Sequence, residues 1–274
     1  MKKQKFKISV VIPVYNEAET INACIEALAL QKEPLHEVIV VDNNSLDGSL
    51  ELARSFDFVT VISEKTQGVS FARDKGFNKA RGDIIARIDA DTIVTANWSQ
   101  DIQRIFESNN IDAVSGSMQY RDWCYKEIGD RVDLLIRRSL NRSMGNQTFL
   151  QGCNMAVRKT AWQAVRNQLC HHAGIHEDID LAVHLQKNDF RVDFDSSLAV
   201  SVSARRFQTD FRSFKNYLLA LPKTYKIHGK YRYLPIYALV ALGLIGFLPM
   251  RTVNRLFNPD AYATRRVDPT SNIL

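Results

Sequence analysis

Short apolar runs alternate with amphipathic segments over the first 90 residues of the chain. The apolar runs are rich in β-branched residues, as is typical of strands buried on both faces. They predict strands at Ile8–Val14, Glu37–Val41, Val59–Ile62 and Asp83–Ile88. The segments between them have apolar residues at helical spacing and predict helices at Glu19–Leu30, Leu50–Phe56 and Phe71–Ala80. Strands and helices that alternate at this pace indicate an α/β fold on a mainly parallel sheet flanked by helices.

Residues 110–200 show a less regular pattern. Strands are predicted at Ala113–Gly116 and Arg191–Phe194, and amphipathic helices at Asp130–Leu140 and Asp178–Asn188. No internal repeat and no linker rich in Pro, Gly or Ser interrupts the first 200 residues. We therefore expect this part of the chain to form one domain.

Polar side chains follow three of the predicted strands, at the point where each strand ends. They lie in the segments Tyr15–Asn16–Glu17, Asp42–Asn43–Asn44 and Asp89–Ala90–Asp91. Ligands of parallel α/β sheets bind outside the carboxyl ends of the strands. A single acidic strand end is commonly a helix cap, but three at one edge of a sheet favour a binding crevice.

Two acidic clusters have the composition of a reactive site. Asp89 and Asp91 are two residues apart after an apolar strand, so both can reach one hard cation such as Mg²⁺ or Mn²⁺. The second cluster is His176–Leu181, with the sequence HEDIDL. It is either the acidic first turn of a helix or the source of a general base that takes a proton from an attacking hydroxyl.

Five segments, in this order, resemble motifs of the family 2 glycosyltransferases, whose catalytic domain has the GT-A fold. They are VVIPVYNE at 10–17, VVDNNSLDGS at 40–49, GVSFARDKGFNKARGDIIARIDADT at 68–92, GCNMAVRK at 152–159 and HEDIDL at 176–181. The resemblance covers roughly residues 6–206. It implies a GT-A catalytic domain over residues 1–206 and a C-terminal extension over residues 207–274.

The resemblance also implies how a nucleotide-sugar donor would bind. Asp42 would accept the N–H of the base, which favours uracil or guanine, and UDP is the nucleotide that we expect first. Asp91 would bind a divalent metal, Mn²⁺ or Mg²⁺, and Asp89 would hold the ribose or join the metal site. Arg73 would contact the phosphates, with a plain surface role as the alternative. Other donor contacts are implied for Pro13, Tyr15, Glu17, Asn44, Gly68 and Ala90.

The same resemblance implies the catalytic groups. Asp178 would be the base that deprotonates the acceptor hydroxyl, and Glu177 would orient the loop or the acceptor. Gly152, Cys153 and Asn154 would line the acceptor side. A single displacement opposite the departing diphosphate would invert the anomeric configuration.

The chain departs from the processive members of the family, which carry a Gln-x-x-Arg-Trp segment after the base. The corresponding stretch here is Ser203–Phe207, in which the Gln is missing and Phe replaces Trp. We therefore expect transfer of one sugar at a time. Arg206 keeps the position of the Arg and would contact the diphosphate, unless it belongs only to a basic surface.

Charge distinguishes the C-terminal part of the chain from the rest. With 45% hydrophobic and 24% charged residues, the chain is not a disordered polymer, a collagen-like fibre or a polytopic membrane protein. The net charge is +6, but residues 1–200 carry −3 and residues 201–274 carry +9. This basic block predicts a surface for phosphate groups of lipids or nucleic acid, and a solvated basic tail is the alternative.

An apolar segment, Leu234–Met250, lies within the basic block and has no charged residue over 17 positions. A helix that stops before Pro249 would have 15 residues and a length of about 22 Å, against about 30 Å of hydrocarbon in a bilayer. The segment is therefore expected either to associate with a membrane or to form a buried or oligomer-forming helix. We favour the membrane, with the flanking basic residues on anionic headgroups.

The N-terminus and the cysteines give weaker indications of location. The apolar run after the basic start is short and lacks a cleavage site, so it predicts a strand and not a signal peptide. The cysteines fit no zinc template and suggest a reducing compartment. They are Cys24, Cys124, Cys153 and Cys170.

These features predict a glycosyltransferase at the cytoplasmic face of a membrane in a bacterial-type cell. The expected acceptor is lipid-linked or a cell-envelope glycan, and no nucleic-acid partner is expected. Two alternatives stay open. A nucleotidyltransferase would need a basic Gly-rich loop after the first strand, where this chain has an acidic one. A nucleic-acid-binding protein would use the basic C-terminal quarter and its tyrosines. The donor sugar and the oligomeric state are not indicated.

Overall fold

A computed structural model of the chain describes residues 5–122, 149–229 and 234–257. The chain divides into two compact units. Of the described residues, the first unit, here called the sheet unit, comprises 5–118, 149–171 and 177–201. The second, the helix unit, comprises 119–122, 172–176, 202–229 and 234–257. The helix predicted over Asp130–Leu140 lies outside the described residues.

The sheet unit is built on an eight-stranded sheet with the order β3-β2-β1-β4-β7-β6-β8-β5. The strands are β1 Ile8–Val14, β2 Glu37–Asp42, β3 Val59–Ser63, β4 Ile84–Arg87, β5 Ile93–Val94, β6 Ala113–Tyr120, β7 Met155–Arg158 and β8 Val192–Val202. Strands β1 to β4 pair in parallel, whereas β7 is antiparallel to both β4 and β6, and β5 is antiparallel to β8. The α/β fold is thus as predicted, with a mixed sheet whose parallel part is the N-terminal half.

Helices of the sheet unit connect and flank these strands. They are α1 Ile21–Ala29, α2 Ser49–Arg54, α3 Val69–Lys79, α4 Trp98–Ser108, α5 Lys159–Val165 and α6 Glu177–Lys187. Helix α3 packs closely on β1 and β2, because Gly76 has no side chain: a Cβ there would lie 2.3 Å from Cγ1 of Val11. The core beneath it contains Ile39, Phe77 and Trp162, all fully buried.

Strand register brings the ends of the parallel strands to one edge of the sheet. Val14 at the end of β1 is paired with Asp42 at the end of β2, and Val11 is paired with Arg87 at the end of β4. The polar residues that follow β1, β2 and β4 therefore leave the sheet on the same side. This is the arrangement that the strand ends predict from the sequence.

The helix unit contains a short 3₁₀ helix, Arg205–Gln208, and two long helices, α7 Phe211–Ile227 and α8 Leu234–Phe257. Asp210 caps α7, because its carboxylate accepts hydrogen bonds from the backbone N–H groups of Arg212 and Ser213. The two helices pack through Phe214 and Phe247, whose rings stack with centroids 4.4 Å apart.

Helix α8 is longer than the sequence predicts. Pro249 lies inside it, and the helix continues to Phe257 for a total of 24 residues, or about 36 Å. The expectation that Pro249 ends the helix is wrong. A proline removes one backbone donor, but the following turn continues, and the Thr252 hydroxyl donates to the Leu248 carbonyl across it at 2.9 Å.

Much of α8 presents apolar side chains to solvent. Its window Ile236–Val253 has a mean hydropathy of 1.8, and only 17% of that window is buried. By length and composition this helix is able to cross a membrane. The exposed large apolar residues are Tyr237, Leu242, Ile245, Leu248 and Leu256.

Candidate functional site

Pro13 lies near the end of β1, and the loop that follows carries Tyr15 and Glu17; all three are partly buried. This loop is joined to the loop after β2 by several hydrogen bonds. The backbone N–H of Leu46 donates to the Asn16 side chain at 2.8 Å, and that of Glu17 donates to the Ser49 hydroxyl at 2.7 Å. The segments that follow two neighbouring strands are thus held together.

Asp42 is buried at the end of β2, where its carboxylate accepts a hydrogen bond from the Ser45 backbone N–H at 3.2 Å. The adjacent Asn44 is exposed, and its amide donates to the Lys65 carbonyl at 3.0 Å. Gly68 is buried with φ of +138°, in the region that favours glycine, and its N–H donates to Asn43 at 2.7 Å. The structure therefore brings Gly68 to the end of β2 through Asn43, a residue that the sequence shows only as part of a turn.

Asp89 and Asp91 follow β4, on either side of the buried Ala90. Burial raises the pKa of the Asp89 carboxyl, and the negative charges of Asp91 and Glu177 raise it further, outweighing the nearby Arg87. Two carboxylates that disfavour each other's charge are a donor set suited to a divalent cation, whose charge would relieve the repulsion. The residues present therefore fit the predicted Mn²⁺ or Mg²⁺ site.

Arg87, the last residue of β4, contacts two of the predicted site residues, and the sequence interpretation did not include it. Its guanidinium is buried and donates to Glu177 at 2.6 Å and to Asp89 at 3.0 Å. Burial opposes its charge, but Glu177, Asp89 and Asp178 together raise its pKa, so it stays protonated. The available indication was a charged residue inside the apolar run Ile84–Ile88. One buried cation therefore links the predicted metal site to the predicted base segment.

Glu177 and Asp178 begin α6 and have different surroundings. Burial raises the pKa of Glu177, but the charges of Arg87 and Arg73 more than offset it, and the net pKa is below the ordinary value. Asp178 is only partly buried, and its carboxylate accepts from the backbone N–H groups of Gly152 at 2.9 Å and Ile179 at 2.8 Å. Glu177 is thus buried, ionised and paired with Arg87, and Asp178 is the more accessible carboxylate.

Arg73 is fully buried, so the alternative of a plain surface role is wrong. Its guanidinium donates to the Glu177 carbonyl oxygen at 2.6 Å and pairs with Asp74 at 2.7 Å. In this structure Arg73 holds the main chain next to Asp178. Contact with a donor phosphate remains a prediction for this residue.

The three residues predicted for the acceptor side differ in their surroundings. Gly152 lies against Arg87, since a Cβ there would be 2.6 Å from the guanidinium carbon. Cys153 is partly buried, with its sulfur 3.9 Å from that of Met118. Asn154 is fully buried, and its side chain bonds to Ser117, Leu198 and Trp98. Asn154 therefore braces the strands around the segment.

Arg206 belongs to the helix unit, unlike the other predicted site residues. It is exposed, and its guanidinium carbon lies 3.8 Å from the centre of the Tyr217 ring. This is a cation–π contact within that unit. The predicted contact of Arg206 with a diphosphate stays a prediction.

Comparison with known proteins decides the family. The model of the glycosyl transferase family 2 matches residues 9–166, which is more than half of the chain. The chain belongs to glycosyl transferase family 2. This confirms the resemblance found in the sequence, and it disfavours both the nucleotidyltransferase and the nucleic-acid-binding alternatives.

Relatives within family 2 match the chain in part. Glycosyltransferase AglE of Haloferax volcanii is 31% identical over 159 residues, which cover 56% of this chain and 52% of the relative. An undecaprenyl-phosphate 4-deoxy-4-formamido-L-arabinose transferase of Serratia proteamaculans is 29% identical, covering 60% of this chain and 52% of the relative. The chain therefore spans about half the length of these curated relatives.

Solved structures confirm the GT-A fold. A mannosyltransferase from Pyrobaculum calidifontis, in complex with GDP-Man and Mn²⁺, superposes with a TM-score of 0.60 at 17% identity, covering 94% of this chain and 76% of that one. Glucosyl-3-phosphoglycerate synthase from Mycobacterium tuberculosis, with Mn²⁺, UDP-glucose and phosphoglyceric acid, gives a TM-score of 0.54 at 20% identity, covering 78% and 79%. At these identities the likeness concerns the fold alone.

Proposed function

We propose that this family 2 protein is a metal-dependent inverting glycosyltransferase that moves one sugar from a nucleotide-diphosphate sugar to an acceptor hydroxyl or phosphate. The observation that carries the proposal is that Arg87 contacts both the predicted metal-binding segment and the segment of the predicted base. Its guanidinium bonds both to Asp89, beside the predicted metal ligand Asp91, and to Glu177, beside the predicted base Asp178. A donor site and a proton acceptor at one sheet edge are what the transfer reaction needs.

The donor would lie along the edge formed by the loops after β1, β2 and β4. Asp42 is buried at the end of β2 and offers a carboxylate to the N–H of a base. Asp91, with Asp89, would hold Mn²⁺ or Mg²⁺, which supplies positive charge to the departing diphosphate. The two solved relatives contain Mn²⁺ with GDP-Man or with UDP-glucose, so both uracil and guanine are compatible with the fold.

Asp178 would take the proton from the acceptor hydroxyl as that oxygen attacks the anomeric carbon. The Gly152 N–H holds one carboxylate oxygen of Asp178 and so fixes its direction. Attack from the face opposite the diphosphate inverts the configuration in one displacement, and no covalent enzyme intermediate is required. Glu177 is committed to Arg87, so its role is to position the neighbouring base.

A lipid-linked or cell-envelope acceptor at the cytoplasmic face of a membrane completes the proposal. It is supported by the undecaprenyl-phosphate sugar transferase among the relatives and by the exposed apolar surface of α8. The net charge of +9 over residues 201–274 would favour anionic headgroups next to that helix.

Calorimetric titration with UDP, GDP and dTDP, with and without Mn²⁺, tests the donor site. We expect one nucleotide to bind in a Mn²⁺-dependent way. Asp91→Asn should weaken that binding by about 10-fold or more, since changing a residue that only orients a metal ligand already costs about 10- to 100-fold in metal affinity. Asp193→Asn removes an exposed carboxylate of the same unit and is the matched control. Absence of binding for all three nucleotides, or unchanged binding in Asp91→Asn, would contradict the proposal.

A further inference from the structure

A second group of metal-ligating side chains lies in the sheet unit, formed by Cys170, Asp180 and His184 and here called the Cys170 cluster. Asp180 and His184 are four residues apart on α6 and therefore share one face of the helix. The His184 Nε2 atom is 3.6 Å from an Asp180 carboxylate oxygen and 3.9 Å from the Cys170 sulfur. The candidate donor atoms all lie within 4.8 Å of one another.

The two separations from His184 Nε2, 3.6 Å to Asp180 and 3.9 Å to Cys170, are close to those around a tetrahedral metal ion. Zinc bonds to sulfur at about 2.3 Å and to nitrogen or oxygen at about 2.0 Å, which puts neighbouring ligand atoms about 3.3–3.8 Å apart. A thiolate, an imidazole and a carboxylate are also ligands that zinc takes together in proteins. Three such ligands leave one position of the tetrahedron for a further donor.

We propose that the Cys170 cluster binds a structural zinc ion, separate from the Mn²⁺ or Mg²⁺ site at Asp91. The two sites differ in chemistry, since Asp89 and Asp91 offer oxygen atoms only, whereas Cys170 and His184 offer softer donors. Zinc would join the segment that ends at Cys170 to α6, the helix whose first turn carries Asp178. The inference does not depend on the proposed transferase reaction.

The surroundings of the cluster suit a buried ion. Asp180 is fully buried, and one of its oxygens already accepts from the Cys170 backbone N–H at 3.0 Å, so the carboxylate is held in place. Zinc would bind with release of the Cys170 thiol proton to solvent, as the sulfur becomes a thiolate ligand.

The absorption spectrum of the Co²⁺-substituted full chain tests the site. Co²⁺ bonded to a thiolate gives a near-ultraviolet charge-transfer band, whereas Co²⁺ held by carboxylates does not. We expect the band in the wild type, in Asp91→Asn, and in Cys153→Ser, which removes a different partly buried thiol. Cys170→Ser should abolish it. His184→Gln should weaken Zn²⁺ affinity by about 100-fold or more, which exceeds the loss typical of changing a residue that only orients a metal ligand.

Thermal unfolding gives an independent measurement on the wild type, whatever the folding yield of the variants. Removal of zinc with a chelator should lower the Tm, because metal affinity is part of the folding free energy, and added Zn²⁺ should restore it. Should Co²⁺ give no thiolate band and chelation leave the Tm unchanged, the three residues would form only a hydrogen-bonded cluster. Nucleotide binding at Asp91 would be unaffected by that outcome.

Discussion

Charged side chains are buried in the sheet unit, and apolar side chains are exposed in the helix unit. Arg73, Arg87 and Glu177 have at most 7% of their surface exposed, whereas Leu242 and Ile245 on α8 expose 67% and 74%. Either arrangement is unfavourable for a protein alone in water. The difference is what the proposed function requires, namely a charged donor bound by one unit and an apolar phase contacted by the other.

The sheet unit also exposes single apolar residues, and these clarify the comparison. Leu46 exposes 89% of its surface, but it stands in a loop next to polar neighbours. On α8, Leu242, Ile245 and Leu248 follow one another at three-residue intervals and share one side of the helix. Isolated exposed side chains are ordinary in globular proteins, whereas a continuous stripe marks an interaction surface.

The largest effect is expected from substitution of Asp178, the carboxylate next to the buried Glu177. Asp178→Asn should lower kcat by about 10³-fold, within the range that general-base catalysis supplies, and leave nucleotide binding unchanged. A single-turnover assay with the donor identified by calorimetry measures the first quantity. Asp193→Asn, which changes an exposed carboxylate of the same unit, should keep full activity. A loss of nucleotide binding in Asp178→Asn would show that this residue belongs to the donor site instead.

Substitution of the buried Arg87 should mainly lower the free energy of unfolding. Arg87→Met leaves Glu177 and Asp89 without their partner, and breaking a buried ion pair costs about 3–5 kcal/mol. Denaturant unfolding measures this free energy. Arg54→Met removes an exposed arginine and should change it by no more than about 0.5 kcal/mol. If both substitutions changed the free energy of unfolding equally, the buried ion pairs of Arg87 would contribute no more to stability than an exposed arginine does.

The exposed stripe of the helix unit should govern membrane binding. Leu242→Glu together with Ile245→Glu should lower the partition coefficient onto vesicles with anionic lipids by about 10-fold or more, since a charged residue within a bilayer costs about 2.5–3.5 kcal/mol. Vesicle sedimentation measures the bound fraction. Leu46→Glu introduces the same charge in the sheet unit and should have no effect. If all variants bind equally, α8 does not contact the membrane.

The smallest effect concerns acid stability. The pKa of Glu177 is lower in the folded chain than its ordinary value of 4.5, so the unfolded chain binds more protons as the pH falls. Its contribution to stability is complete above pH 4.5 and is lost as the pH falls through the folded value. The free energy of unfolding should therefore fall less steeply with acid in Glu177→Gln than in the wild type. Parallel curves would mean that Arg87 does not stabilise the carboxylate charge.

Residues at strand ends are the part of the site that could be predicted from the sequence. Asp42, Asp89 and Asp91 each follow an apolar run, and strand register then places them at one edge. The role of Arg87 could not be predicted, because its partner Glu177 is 90 residues away and the pair forms only when α6 meets β4. Local pattern shows which residues are polar, and only the fold shows which of them meet.

In the second half of the fold, the strands near residues 113 and 191 and the helix over 178–188 were predicted, but three other features were not. Strand β7, Met155–Arg158, has only four residues and follows a Gly–Cys–Asn turn. Its antiparallel pairing with β4 could not be predicted, because β4 is far away in the sequence. The extent of α8 was underestimated because Pro249 is a strong local stop, which the continuing turns override. The Cys170 cluster was overlooked because zinc templates are sought as pairs of cysteines.

The contact between Gly152 and Arg87 has an evolutionary consequence. A Cβ at position 152 would lie 2.6 Å from the guanidinium carbon, so a side chain at 152 is excluded while Arg87 stays. A chain with a smaller residue at 87 has room for a side chain at 152, and a chain that keeps arginine does not. A residue other than glycine at 152 is therefore expected among relatives only where the residue at 87 is smaller than arginine.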